Sequence, residues 1–283
     1  MALNLPTFYK RTGSAIVFAA IMLTGLLWKN DLGFLGLMCV VEVLCLRDYF
    51  RLMQKINPDS YWPKWVPVAM QLFGLIFFLL IFLGTFNFFS VGYVMLTITA
   101  LLFVVPVSFL LAGALSEKTA LNSIIQSFGG LLYITLPTIL LCELRLQDLI
   151  LPVALILMIW SNDTFAYLVG SFIGKHSFSP ISPNKTWEGV IGGALLTIVG
   201  AGIYGYFAHS YRLIDWMAFA FCATVAGTLG DLLESKLKRI AGVKDSGTLM
   251  PGHGGALDRF DSLLVAAPFA CVYASYFMHQ IAP

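Results

Sequence analysis

Charge is what this chain has least of. Among 283 residues, 17 are Lys or Arg and 15 are Asp or Glu, so 11% are charged and 59% are hydrophobic. A soluble domain carries about 25% charged residues. The deficit excludes an ordinary soluble domain and predicts a polytopic membrane protein whose core environment is the bilayer. Cysteine is also sparse. Cys39, Cys45, Cys142, Cys222 and Cys271 are scattered in or at the edge of apolar runs, with no CxxC and no Cys/His cluster. That spacing excludes a disulfide framework and a zinc site, and leaves reduced, lipid-buried thiols. There is no internal repeat, heptad array or low-complexity tract. A transporter built on two related halves would more often show matching polar interruptions in each half. The first apolar run, Gly13 to Trp28, lacks a convincing small-residue cleavage site, so it reads as a span that stays and not as a cleaved leader.

What the chain does have is apolar runs. Nine of them read as helices, at 13–28, 32–46, 65–86, 91–115, 123–141, 149–170, 190–208, 216–233 and 257–281. The expected fold class is all-α, a polytopic integral membrane helical bundle of about nine transmembrane helices. The first two runs are near or below the roughly 17 residues a span needs, and also read as a tight helical hairpin. With nine spans, the N-terminus and the loops after spans 2, 4, 6 and 8 share one side. That side holds 14 of the 17 Lys and Arg residues, against Lys29, Arg145 and Arg212 on the other. The positive-inside rule makes the basic side cytoplasmic and puts the C-terminus outside. Residues 1–115, spans 1–4, read as an N-terminal membrane scaffold. Residues 116–283, spans 5–9, read as the catalytic region, with cytoplasmic loops at 171–189 and 234–257.

The scarce charge is concentrated in one place. Ser235 to Ser262 holds Lys236, Lys238, Arg239, Lys244 and Arg259 together with Asp245, Asp258 and Asp261, around the turn Pro251-Gly-His-Gly-Gly255. If the eighth helix continues past its apolar part, Asp231, Glu234, Ser235 and Lys238 share one face. A carboxylate within a span, such as Asp231, points to function by default; the competing role is an ion pair with Lys238 or Arg239. Asp258 and Asp261 sit one helical turn apart. Converging carboxylates near a phosphate make a hard, all-oxygen Mg²⁺ site, whereas helix N-terminal acids are the structural alternative. Gly254 and Gly255 let backbone N–H groups approach a ligand, and His253 offers a further donor or a structural contact. On the same predicted face, Ile181 to Gly189 supplies Ser182, Asn184, Lys185 and Thr186 as phosphate-binding groups. There Trp187 also suits an interface anchor and Glu188 a helix cap. Asp163, beside Asn162 and Thr164 in span six, is either a member of the polar site or a buried structural acid. Glu42 in span two reads as structural.

Taken together, these residues resemble the CDP-diacylglycerol synthases, also called phosphatidate cytidylyltransferases. The resemblance rests on Ser235, Lys238-Arg239, Lys244-Asp245, His253-Gly254-Gly255 and Asp258-Arg259-Phe260-Asp261 at matching spacing. Ser182 to Gly189 and Asn162 to Tyr167 extend it upstream. It covers about 160–262; the first 150 residues match only as a multi-span scaffold. Met250 and Ala256 stand where larger or branched apolar residues are usual, a difference of packing.

The resemblance implies transfer of the cytidylyl group of CTP to phosphatidic acid, giving CDP-diacylglycerol and pyrophosphate. It implies Asp231, Asp258 and Asp261 as ligands of Mg²⁺, with a second cation left open, and Lys244 among the catalytic residues. Ser182, Asn184, Lys185, Thr186, Ser235, Lys238, Arg239, His253, Gly254, Gly255, Arg259 and Asp163 would bind substrate. The expected partners are CTP, phosphatidic acid and the lipid bilayer, without nucleic acid, and a homodimer is left open. The expected location is a bacterial inner membrane with the site facing the cytoplasm. Transfer to an isoprenoid or other lipid phosphate is the alternative enzyme. A transporter predicts polar groups spread across mid-bilayer depth, and a purely structural scaffold gives no reason for so many ionisable groups around a glycine turn.

Overall fold

A computed structural model describes residues 5–28, 31–58, 68, 71–76, 79, 126, 128–249 and 254–278. The span expected at 91–115 lies outside them, as does most of the one at 65–86 and, within the glycine turn, His253. The described residues are mostly helical. Five helical stretches among them are long and apolar enough to cross a membrane: Phe128–Gln147, Ile150–Ile173, Trp187–Ala208, Leu213–Ile240 and Leu257–Phe277. This makes the chain a multi-pass membrane protein.

Helix α1 covers Leu5–Leu27 and α2 covers Asp31–Ile56. Both are longer than the apolar runs that predicted them. Charge ends a hydropathy run but does not end a helix: α2 continues through Arg47, Asp48, Arg51 and Lys55. A π-helical turn, Leu131–Thr135, leads into α3, Leu136–Gln147. Helix α4 is Ile150–Ile173, followed by an antiparallel hairpin of β1, Ser177–Ser179, and β2, Ser182–Thr186. Helices α5, Trp187–Ala208, α6, Leu213–Ile240, and α7, Leu257–Phe277, complete the order.

The chain divides into two compact units. One comprises Met1–Cys142 with Ile240–Asp258, the other Glu143–Arg239 with Arg259–Pro283. In the first unit, Met22, Leu26, Phe34, Met38, Leu46, Leu52, Ile134 and Leu141 are buried almost completely. Tyr49 of α2 lies against Gly129 and Gly130, and its hydroxyl donates to the Gln126 carbonyl at 2.9 Å.

In the second unit, α4 and α5 approach closely because small residues meet. A Cβ on Gly189 would stand 2.6 Å from the Ala166 carbonyl oxygen, and one on Gly193 would stand 2.8 Å from the Ala166 Cβ. Between membrane helices, where lipid is as apolar as leucine, such close backbone approach supplies much of the packing energy. Trp216 of α6 is fully buried, edge-on to Tyr204 at 5.0 Å and to Tyr211 at 5.6 Å.

Candidate active site

The hairpin after α4 carries the first group. Ser177 pairs with Thr186 and Ser179 with Ser182, so a segment expected to be a loop is ordered by a short ladder. The Thr186 hydroxyl then caps α5, accepting the Gly189 N–H at 3.2 Å. Glu188, weighed above as a cap, instead ties down the chain entering the hairpin. Its carboxylate accepts the Lys175 and His176 backbone N–H groups at 3.1 and 3.2 Å and meets His176 Nδ1 at 2.5 Å. Trp187 is half exposed and packs edge-on against Phe178, with ring centroids 4.6 Å apart. The ladder thereby fixes Lys185, while Asn184 stays exposed and Ser182 is partly covered.

Lys185 forms an ion pair with Asp231 of α6. The helix does run on through Ile240, so Asp231, Glu234, Ser235 and Lys238 share a face. Lys238 pairs with the fully buried Glu234, so Asp231 takes its cation from the hairpin and not from its own helix. Asp163 of α4 lies within electrostatic range of Lys185 and Asp231; Asp261 of α7 lies within range of Asp231, Lys238 and Asp163. Asp261 is buried, and its Oδ1 accepts the Ser262 N–H at 2.7 Å. Helices α6 and α7 touch here through Gly230, where a Cβ would stand 2.5 Å from the Asp261 carbonyl oxygen. Four carboxylates (Asp163, Asp231, Glu234, Asp261) thus gather with two ammonium groups (Lys185, Lys238). Arg239 is exposed at the end of α6, Ser235 is partly exposed, and Arg259 is partly covered.

Such an all-carboxylate set suits a hard divalent cation, and Mg²⁺ commonly takes only one or two protein carboxylates together with substrate phosphates and water. Among the described residues no three His, Cys, Asp or Glu side chains stand ready to chelate one ion. The donor chemistry fits Mg²⁺ arriving with a phosphate ligand.

The first unit holds the glycine turn and a different use of carboxylates. Gly242 ends the α6 segment with φ +66°, and Gly254, at φ +81°, reverses the chain before α7. Asp258 Oδ2 accepts the Ser246 N–H at 2.8 Å, the Ser246 hydroxyl at 2.7 Å and the Gly255 N–H at 2.7 Å. The next N–H, from Ala256, goes to Asp48 Oδ2 at 2.7 Å. The Gly255 N–H, expected to approach a ligand, is therefore used within the turn. Gly254 and Gly255 are buried, while Lys244 and Asp245 are exposed on the loop.

Asp48 and Ser246 were not singled out from the sequence. The signal for Asp48 was an acid between Arg47 and Arg51 just beyond an apolar run; Ser246 gave none. Asp163, Lys185, Asp231, Lys238 and Asp261 come together in one unit, and Gly254, Gly255 and Asp258 in the other.

The sequence pattern of the cytidylyltransferase family matches residues 9–277. The phosphatidate cytidylyltransferase of Haemophilus influenzae is 45% identical over 129 residues, 44% of this chain and 45% of that protein. That of Bacillus subtilis is 49% identical over 114 residues, 40% of this chain and 42% of that protein. That of Staphylococcus aureus is 46% identical over 115 residues, 40% and 44% of the two chains. The aligned stretch spans less than half the length of these curated relatives.

Proposed function

Because the chain belongs to the cytidylyltransferase family, we propose that it transfers the cytidylyl group of CTP to phosphatidic acid, releasing pyrophosphate and forming CDP-diacylglycerol. The observation that supports this assignment is the gathering of Asp163, Asp231 and Asp261 beside Lys185 and Lys238.

A lipid phosphate oxygen attacks the α-phosphorus of CTP, a new P–O bond forms there, and the bond to the β-phosphate breaks. The nucleophile is already anionic and needs no strong base. The barrier comes from bringing anion to anion, so catalysis is mainly electrostatic. Bound Mg²⁺ would neutralise phosphate oxygens as charge shifts to the leaving group. Asp231 and Asp261 would hold it, with Asp163 adding negative charge nearby. Lys185 exchanges its Asp231 contact for a phosphate oxygen when substrate arrives. Lys238, Arg239, Lys244 and Arg259 supply further cations for the two substrates, and Ser182, Asn184, Thr186, Ser235 and His253 supply hydrogen bonds. Asp258 holds the Ser246–Gly255 turn.

We place the protein in a bacterial inner membrane with nine spans and this site facing the cytoplasm. The 14-to-3 division of Lys and Arg supports that orientation. CTP then arrives from water while the lipid keeps its tails in the bilayer.

Release of labelled pyrophosphate from CTP by the purified protein tests the assignment. Release should require both Mg²⁺ and phosphatidate. Release with a polyprenyl phosphate but not with phosphatidate would replace the acceptor, and no release with either would overturn the assignment.

A further inference from the structure

Asp48 presents a buried acid with an unusual set of neighbours. It lies in α2, its side chain is fully buried, and the hydrogen bond it accepts from Ala256 joins residues 208 apart in sequence. Arg47 Nε and Arg51 each approach its Oδ1 at 3.7 Å, near enough to balance charge but too far for a hydrogen bond. Two glycines are pressed against the same carboxylate. A Cβ on Gly247 would stand 2.6 Å from Oδ1, and a Cβ on Gly255 would overlap Oδ2. Side chains at either position would have to displace Asp48 or the loop.

These contacts hold the two ends of one loop. Gly247 follows Ser246, which bonds to Asp258, and Ala256 immediately precedes α7. Asp48 and Asp258 together take the N–H groups of Gly255 and Ala256 in succession. A carboxylate kept in a buried position by one N–H and two loose cations is an expensive way to join helices, since apolar packing would serve as well. Its cost is explained if the position of the turn matters.

We infer that Asp48 is a positioning residue for the proposed reaction: it fixes Gly247, Gly255 and Ala256, and with them the start of the helix at Leu257 and Asp258. The inference rests on the cytidylyltransferase assignment. It also gives the N-terminal region, read from sequence as scaffold, a direct part in shaping the turn. A displacement of about 1 Å in a positioned group can lower a rate roughly 10²-fold.

The test uses the full chain in detergent, assayed with CTP, Mg²⁺ and phosphatidate. Asp48→Ala should lower kcat roughly 10²-fold with KM for CTP changed less than about threefold, and should speed deuterium exchange in peptides covering 246–256. Asp48→Asn retains an oxygen that can accept the Ala256 N–H and should recover activity to within about tenfold of wild type. Gly247→Ala should be strongly impaired alone but cost far less in the Asp48→Ala background, because the nearest atoms the added methyl meets all belong to the Asp48 carboxylate. A melting temperature for each variant separates loss of position from loss of fold. Wild-type kcat and exchange in Asp48→Ala would overturn the inference, as would additive losses in the double variant. An inactive wild type would overturn the assigned reaction instead, leaving exchange and melting to decide whether Asp48 holds the turn.

Discussion

Around Asp231 and Asp261, four carboxylates share two ammonium groups. Around Asp48 and Asp258, two carboxylates accept four hydrogen bonds from three residues, Ser246, Gly255 and Ala256. Both regions are acidic and both lie in or beside apolar helices, yet their electrostatics differ. In the first, acids gather with side-chain ammonium groups, which suits an incoming cation and polyphosphate. In the second, Asp48 Oδ2 and Asp258 Oδ2 are engaged by backbone and hydroxyl donors, which suits fixed geometry, while Asp48 Oδ1 has only the two arginines at 3.7 Å. The oxygens of acids near a glycine turn can be engaged by the turn itself, as Asp258 Oδ2 is by Ser246 and Gly255.

Asparagine separates the two uses, because it keeps the shape and one acceptor oxygen while removing the charge. Asp231→Asn and Asp261→Asn should each lower the rate of pyrophosphate release by roughly 10³, with a higher Mg²⁺ concentration needed for half-maximal rate. Lys185→Ala should follow at roughly 10², and extra Mg²⁺ should restore part of that loss. Asp258→Asn should cost about tenfold, since an amide oxygen still accepts from Gly255 and Ser246. An Asp258→Asn variant as inactive as Asp231→Asn, with the same shift in Mg²⁺ dependence, would merge the two regions into one ligand set. All four variants should remain extractable and folded, which a melting curve checks.

Sequence and structure meet best where chemistry is carried by charge. Asp231 stood out because a carboxylate near the end of an apolar run is costly, and its helix face was legible from spacing through Lys238. Its partner was not. The competing structural role named Lys238 or Arg239, whereas the pair is with Lys185, 46 residues away in sequence, because the hairpin carries that ammonium across. The ladder itself escaped notice: Ser177–Thr186 contains two prolines and no alternating apolar pattern, and its order comes from pairing and from the Glu188 tether. Helix ends were underestimated in α2 and α6, since hydropathy reports depth in a membrane and not helicity. Asp48 was hidden for another reason. Its meaning depends on a contact across 208 residues, and a local reading sees only an acid between two arginines.

The hairpin offers the finest test of the contrast between fixed geometry and gathered charge, because it uses geometry to deliver a charge. Glu188 holds it by two backbone N–H groups as well as by His176. The His176 side chain is largely exposed, at 77%, so water and salt screen its pairing with Glu188. His176→Ala should therefore leave pyrophosphate release within about threefold of wild type, because the backbone tether survives. Glu188→Ala removes the tether as well and should lower the rate more than His176→Ala does, through a less populated Lys185 position. Raising Mg²⁺ should then narrow the gap between Glu188→Ala and wild type, as for Lys185→Ala. Equal losses in His176→Ala and Glu188→Ala would show that the imidazole, not the backbone, holds the hairpin.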